Sequence, residues 1–216
     1  MKNNSTANPW DSGTDELERH ALGECAKRQR VDHRVSVLVM PANHCELAIQ
    51  FAQLGAHVTV ADAASHAQDV EGRILAAGLR EEMSFAACAM PQPPENSPGE
   101  PFDIIFVRRS LCALPYPEAR QVVRQLLRQL KIGGKLYVSI LGLHSELSEG
   151  YAGKELAIEE RFSELAPALA KKYGIPHPVC LYSERNLFML LLEAGASVLR
   201  TMTTTYGNVK AIAVRV

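Results

Sequence analysis

Asp62 lies about 20 residues beyond the short segment Pro41-Ala42-Asn43-His44-Cys45. An acid at that distance from a strand-to-helix turn is how a nucleotide-binding βαβ unit accepts hydrogen bonds from ribose hydroxyls. A solvated acid at a strand end is the plainer account of the same residue. Arg108 and Arg109 are adjacent guanidinium groups able to clamp a carboxylate or phosphate; pairing with surface acids explains them equally well. His44, His144, Glu146 and Tyr151 are of types that move protons in catalysis. For His44 an exposed loop histidine is the simpler reading. The five cysteines, Cys25, Cys45, Cys88, Cys112 and Cys180, are scattered and odd in number, with no Cys-x-x-Cys and no paired histidine spacing. They argue against a disulfide framework and against a structural zinc site, and no metal is expected.

An alternation of strands and helices positions these groups. Residues 35–40 are apolar and rich in β-branched side chains, 46–54 have helical spacing before Gly55, and 57–61 form a second short strand, so the unit is a right-handed βαβ crossover. A helix over 67–77 carries Val70, Ile74 and Leu75 on one side and ends near Gly78, and 83–87 is a weak third strand. The proline-rich stretch 91–101 must be a loop. Residues 102–107, apolar on both faces apart from Asp103, read as a central fourth strand. An amphipathic helix over 117–131 stops at Gly133-Gly134, and a fifth strand runs over 135–141.

In the last third, 154–172 is helical by pattern, and 183–194 is a second helix with Ser183 as its N-cap. Two β-rich runs, 197–205 and 209–216, are joined by a hairpin turn at Tyr206-Gly207-Asn208. The expected architecture is α/β: a doubly wound, mostly parallel seven-stranded sheet with a C-terminal antiparallel hairpin. An N-terminal segment, 1–34, with a helix over 16–27, precedes a domain over 35–216. Ligands in such sheets lie at the carboxyl ends of the strands. That places His44 after the first strand, Arg108 and Arg109 after the fourth, and His144, Glu146 and Tyr151 after the fifth.

With 216 residues, 47% of them hydrophobic, the chain can bury a sizeable core. A formal net charge of -1 gives no reason to expect nucleic acid or an anionic membrane as partner. The polar start does not read as a signal peptide, and no apolar run approaches the roughly 20 residues that span a bilayer. A cytoplasmic location is the expectation. Arg120, Arg124 and Arg128 recur every four residues, and a solvated outer helix face is expected of them.

The order of elements, Asp62, the run Phe102-Asp103-Ile104-Ile105-Phe106 followed by Leu114-Pro115, and the turn Leu130-Lys131-Ile132-Gly133-Gly134-Lys135-Leu136 together resemble class I S-adenosylmethionine-dependent methyltransferases over about residues 35–216. The resemblance implies a Rossmann-like fold, S-adenosylmethionine as cofactor, and methyl transfer to a small-molecule substrate. It assigns cofactor contacts to Met40, Pro41, Ala42 and Asn43 in the first turn, to Asp62 and Ala63 at the ribose, to Cys88 and Ala89 after the third strand, and to Val107 and Arg108 on the cleft floor. His144, Arg108 and Arg109 are the candidates for work on the substrate: His144 because the loop after strand five often carries substrate contacts in this family, the two arginines as a clamp for a carboxylate or phosphate. Trp10 falls where family members place a flap over the cofactor; it serves equally to pin that segment to the core.

The chain departs from the family at its glycine-rich turn. Val39 stands where the family has an acid, and Pro41, Asn43 and Cys45 stand where it has three glycines. Glycine there makes room for the ligand and supplies positive φ. Proline has no N–H, asparagine tolerates a left-handed conformation, and cysteine adds a side chain at the helix start. Cys88 replaces an acid that holds the adenine amino group. Two function classes follow: a methyltransferase with a divergent turn, or a non-catalytic methyltransferase-like module that has lost the cofactor and acts through a homodimer or a protein partner. A site remodelled for another nucleotide or an acyl ligand is a third reading.

Overall fold

The computed structural model describes residues 15–31, 34–90, 92–94 and 101–216. Trp10 and most of the 91–101 loop fall outside them. Seven strands, β1 (Ser36–Met40), β2 (His57–Asp62), β3 (Met83–Ala87), β4 (Phe102–Arg108), β5 (Leu130–Ile140), β6 (Ala196–Thr203) and β7 (Val209–Arg215), form one sheet in the order β3-β2-β1-β4-β5-β7-β6. Strands β1 to β5 are mutually parallel, and β7 runs antiparallel between β5 and β6. The doubly wound sheet and its terminal hairpin are therefore as the sequence pattern predicts.

Successive strand residues face opposite sides of the sheet, and each side has its own core. Val37, Val39, Ile104 and Phe106 pack with α1 (Glu16–Gln29), α2 (Glu46–Gln53) and α3 (Ala67–Ala77). Leu38, Met40, Ile105 and Val107 pack on the other side with α4 (Tyr116–Gln129), α5 (Pro167–Tyr173) and α6 (Glu184–Glu193). The chain winds from β1 out to β3 and then returns to β4, on the other side of β1. That reversal opens a crevice above the carboxyl ends of β1 and β4.

Two elements differ from the sequence pattern. Strand β5 begins at Leu130, directly after α4, with Gly133-Gly134 inside it. Phe102 pairs with Leu130 while Ile104 pairs with Lys135, so the glycines form a bulge rather than a turn before the strand. A Cβ on Gly134 would meet the Lys131 carbonyl oxygen at 2.7 Å. The helix expected over 154–172 is only a short 3-10 turn, Ile158–Glu160, followed by α5. Pro167 can open a helix but cannot continue one through its own missing N–H. The chain instead bends around Arg161, whose buried guanidinium donates to the carbonyls of Leu156 (2.9 Å) and Leu181 (3.0 Å) and to Asn186 Oδ1 (3.0 Å). Ser183 caps α6 as expected, in a capping box with Asn186.

Helix α1 is fastened to the sheet by charge as well as by Leu17, Ala21 and Cys25. Glu24 accepts from Arg28 Nε and from Lys135 Nζ, each at 2.7 Å. Burial acts to raise its pKa, but the hydrogen bonds and charges of Lys135 and Arg28 outweigh burial and hold it below 4.5. A depressed carboxylate pKa gives stability that is complete above the unfolded value and lost as pH falls through the folded one. Thermal denaturation between about pH 6 and 3 is expected to show a smaller acid loss for Glu24→Gln than for the wild type. No helix among the described residues is long and apolar enough to cross a membrane.

Candidate functional site

The turn from β1 to α2 keeps a glycine-like path without glycine. Asn43 has φ 46° and Cys45, the N-cap of α2, has φ 61°. Both lie in the left-handed region, which costs a side-chain-bearing residue about 1–2 kcal/mol and asparagine less. The side chain of Cys45 is directed into the core on the α2 side, where burial raises its pKa and keeps the thiol neutral. Met40 is also buried in a core. Pro41, Ala42, Asn43 and His44 form one wall of a cleft of about 410 Å³.

Asp62 forms part of the opposite wall. Its Oδ2 accepts from the Ala42 N–H at 3.0 Å, and its Oδ1 lies 2.7 Å from the Ala63 N–H and 2.9 Å from His66 Nδ1. Its backbone carbonyl accepts from the Cys88 N–H at 2.8 Å. Asp62 thus ties the first turn to the ends of β2 and β3. A carboxylate has about four acceptor sites, and these donors use three.

The floor of the cleft holds an ion pair between Glu18 of α1 and Arg108 of β4. Glu18 is buried, and the Arg108 guanidinium lies 5.8 Å from the centroid of the Phe106 ring. On the far side, Asp69 accepts from Arg73 Nε at 2.8 Å, and that bond holds the Asp69 carboxyl below its ordinary pKa. Among the described residues no group of three or more His, Cys, Asp and Glu could hold a metal ion.

No protein-family model matches the chain, and no curated protein matches it by sequence. Solved structures do match. An S-adenosylmethionine-dependent methyltransferase from Clostridium acetobutylicum ATCC 824 superposes with a TM-score of 0.71 at 12% identity, over 95% of this chain and 93% of the other. Magnesium protoporphyrin IX methyltransferase from Synechocystis PCC 6803 with bound SAH gives 0.62 at 17% identity, over 92% and 81%. This is the S-adenosylmethionine-dependent methyltransferase fold. The cyclase SpnF shares it, with a TM-score of 0.60 at 18% identity over 88% of this chain and 60% of the other, so the fold alone does not fix the reaction. The chain spans only 55–60% of the length of the first four solved structures it matches.

Of the positions that the methyltransferase fold points to, Pro41, Ala42, Asn43, Asp62 and Arg108 line the cleft together. Ala63 reaches it through its N–H to Asp62, and Val107 is buried in the core beneath. Cys88 and Ala89 line a separate groove against α4, beside Gln125 and Gln129, and burial keeps the Cys88 thiol neutral. Arg109 lines a second, smaller pocket on the α4 side of the sheet. His144 is exposed on the turn after β5 and lines neither cavity.

The remaining candidates have structural partners. Glu146 accepts from Lys172 Nζ and from the Tyr173 hydroxyl, each at 2.5 Å, which lowers its pKa. Tyr151 is buried with its hydroxyl against the carbonyls of Arg161 and Val179, and burial pushes its pKa up to about 12. The arginine stripe on α4 is not simply solvated: Arg120 pairs with the Glu193 carboxylate at 2.9 Å, and Arg124 donates to the Glu193 carbonyl at 3.0 Å. These bonds neutralise the carbonyl end of α6.

Glu18, His66, Asp69, Arg73 and Phe106 are among the cleft residues that sequence reasoning missed. Glu18 is also the N3 member of a capping box with Asp15, accepting from the Asp15 N–H at 3.2 Å. His66 is brought to Asp62 by the short 3-10 turn Ala64–His66 that follows β2.

Proposed function

We propose that the cleft between the β1–α2 turn and Asp62 binds S-adenosylmethionine and that the protein methylates a small-molecule acceptor. The observation that carries this reading is the convergence in one cleft of a left-handed turn, a strand-end carboxylate and the Glu18–Arg108 pair. The residues fit the cofactor by chemistry. Asp62 keeps one acceptor site on Oδ2, and His66, with 61% of its side chain exposed, is free to turn away and return one on Oδ1. The carboxylate thereby accepts from both hydroxyls of a ribose. Glu18 and Arg108 present opposite charges to the ammonium and carboxylate of an amino-acid group, and Phe106 offers an apolar wall. When bound, the cofactor supplies an electrophilic methyl group on a sulfonium. The chain's part is alignment, which supplies most of what such a transfer needs. His44, on the cleft wall, takes a proton where the acceptor carries one.

Calorimetry with S-adenosylmethionine and S-adenosylhomocysteine tests the proposal. Binding is expected. Asp62→Ala should weaken it by about 1–3 kcal/mol, because ribose donors then lack a charged acceptor. His66→Ala should bind at least as tightly as the wild type, since it removes a competing donor. No heat at millimolar ligand overturns the reading.

One observation favours a second reading, a non-catalytic binding or regulatory module. The Asp62 carboxylate is engaged by this chain's own donors, and Pro41 occupies the cleft wall where a glycine would leave space. On that reading neither cofactor form binds, and Asp62→Ala changes stability alone.

A further inference from the structure

We infer that the smaller pocket, walled by Cys112, Leu141 and Val179, is a binding site for a small neutral aromatic molecule: one ring, without formal charge, seated among aliphatic side chains. The pocket has a volume of about 160 Å³ and lies on the α4 side of the strand ends. None of its lining residues also lines the cleft proposed to hold the cofactor. Binding there does not depend on the proposed methyl transfer.

Size selects a single ring. An apolar cavity of about 150 Å³ in another protein stays dry and takes up benzene, and Ala113, Leu141, Leu147, Ile175 and Val179 supply aliphatic walls here. The Tyr173 ring and the Cys112 sulfur complete the lining. Rings pack edge-on or offset against one another, and sulfur packs favourably against a ring, so these two residues favour an aromatic guest over an alkyl group of equal volume.

Charge excludes ions. Arg109 bears the only permanent charge in the lining, and it already has an interaction partner in this chain. A carboxylate entering the pocket would give up its hydration without meeting an unanswered cation. No anion awaits a cationic ligand either. Burial pushes the pKa of the Cys112 thiol up to about 11, and its S–H donates to the Arg109 carbonyl oxygen, 2.8 Å from the sulfur. The nearby Glu146 carboxylate lies outside the lining, held by Lys172 and the Tyr173 hydroxyl.

The walls are fixed by the backbone, which keeps the pocket from closing. Arg109 has φ 55°, in the left-handed region that a long side chain rarely adopts, and its N–H donates to the Ser139 carbonyl at 2.7 Å. Strain of this kind persists where the surrounding structure fixes it, and it clusters at ligand sites. The turn it makes leads into Cys112 and Ala113, one wall of the pocket. The other walls are tied to that one and to β5: the Cys180 N–H donates to the Cys112 carbonyl at 2.8 Å, the Tyr182 N–H to the Leu141 carbonyl at 3.0 Å, and the Tyr151 hydroxyl lies 2.7 Å from the Val179 carbonyl oxygen. Apolar atoms that face a void held open in this way lack dispersion partners on one side. A ring supplies them.

Calorimetry of the full chain tests the site with phenol as the neutral single ring, benzoate for charge, 1-naphthol for size and cyclohexanol for aromaticity. Phenol is expected to bind, with 1-naphthol and cyclohexanol weaker and benzoate at least about tenfold weaker, the effect of desolvating an unpaired charge. Ala113→Phe should fill the pocket and abolish phenol binding; if thermal melting shows that it does not fold, Ala113→Leu narrows the same wall and should weaken phenol. No heat with phenol overturns the site, as does phenol bound equally by wild type and a folded filling variant. Benzoate, 1-naphthol or cyclohexanol bound as tightly as phenol overturns the ligand class. S-adenosylhomocysteine is titrated into the same samples: phenol bound without it overturns the proposed function and upholds the pocket, and the reverse result overturns the pocket alone.

Discussion

Asp103→Ala is expected to destabilise the protein by about 3 kcal/mol or more, the effect of leaving buried charges without their partner, and to lower Tm by roughly 6–12 °C for a chain of this size. Asp103 is the single acid in the apolar run of β4, and only 1% of its side chain is exposed. One oxygen accepts from Lys131 Nζ at 2.8 Å and from the Ser36 N–H at 3.0 Å, and the other from Arg28 Nη1 at 3.3 Å. These donors come from β5, the start of β1 and α1, so one carboxylate fastens three elements to β4. The same Arg28 donates through Nη2 to the Gly133 carbonyl at 2.6 Å, which adds the β5 bulge to the cluster. Asp103→Asn keeps an oxygen for Ser36 but not the charge, and should fall between alanine and wild type. Thermal and urea denaturation measure the series. A Tm shift below about 2 °C would place these bonds with exposed ion pairs of negligible net worth. The cluster sits at the amino end of β4, opposite the cleft, so affinity for S-adenosylhomocysteine should not change.

That cluster marks the boundary of what could be read from the sequence. Asp103 is conspicuous there only as a polar interruption in Phe102–Arg108, and nothing local shows that Arg28 and Lys131, 75 and 28 residues away, meet it. The strands and helices themselves were legible because their signals are local. Apolar β-branched runs mark β1 and β4, Gly78 and Ser183 mark helix ends, and α4 carries its apolar stripe at helical spacing. Pattern failed where a tertiary contact overrides it: at Gly133-Gly134, absorbed into a bulge, and over 154–172, where buried Arg161 gathers carbonyls that a helix would have used internally.

The candidate site divides in the same way. Asp62 and the turn from Pro41 to Asn43 share the cleft, as their spacing in a βαβ unit predicts. What the sequence could not show is that Asp62 is partly engaged by Ala42 and His66, or that Glu18 reaches Arg108 from α1, 90 residues earlier by number. Tyr151 and Glu146 have the right chemistry after β5 but are held by Arg161, Val179, Lys172 and Tyr173. Residue type alone does not separate a proton carrier from a buried strut.

Gly142→Ala is expected to cost more than about 4 kcal/mol, a loss reserved for a few steric mechanisms, and either to lower Tm by at least about 8 °C or to leave the protein insoluble. A Cβ at Gly142 would stand 1.6 Å from the Gly207 carbonyl oxygen and 2.7 Å from its carbon. Both are backbone atoms, so no side-chain rotation relieves the overlap. Gly207 is pressed from its own side: with φ +82°, its Cβ would meet the His144 carbonyl at 2.6 Å. The turn after β5 and the β6–β7 hairpin turn therefore touch backbone to backbone. The contact locks the end of β5 against the start of β7, where Ile140 pairs with Val209. It also fixes the segment leading to Leu147, a wall of the Arg109 pocket. Gly207→Ala strikes the same contact from the other side, against backbone at 2.6 Å and with φ +82° to hold, and should also destabilise the protein. Gly23→Ala is the control of opposite sign. Gly23 lies within α1 with nothing within 4 Å of its Cβ position, and alanine there should stabilise by about 0.5–1 kcal/mol. If Gly142→Ala folds with an unchanged Tm, the two turns separate without penalty, and the hairpin has no part in shaping the second pocket.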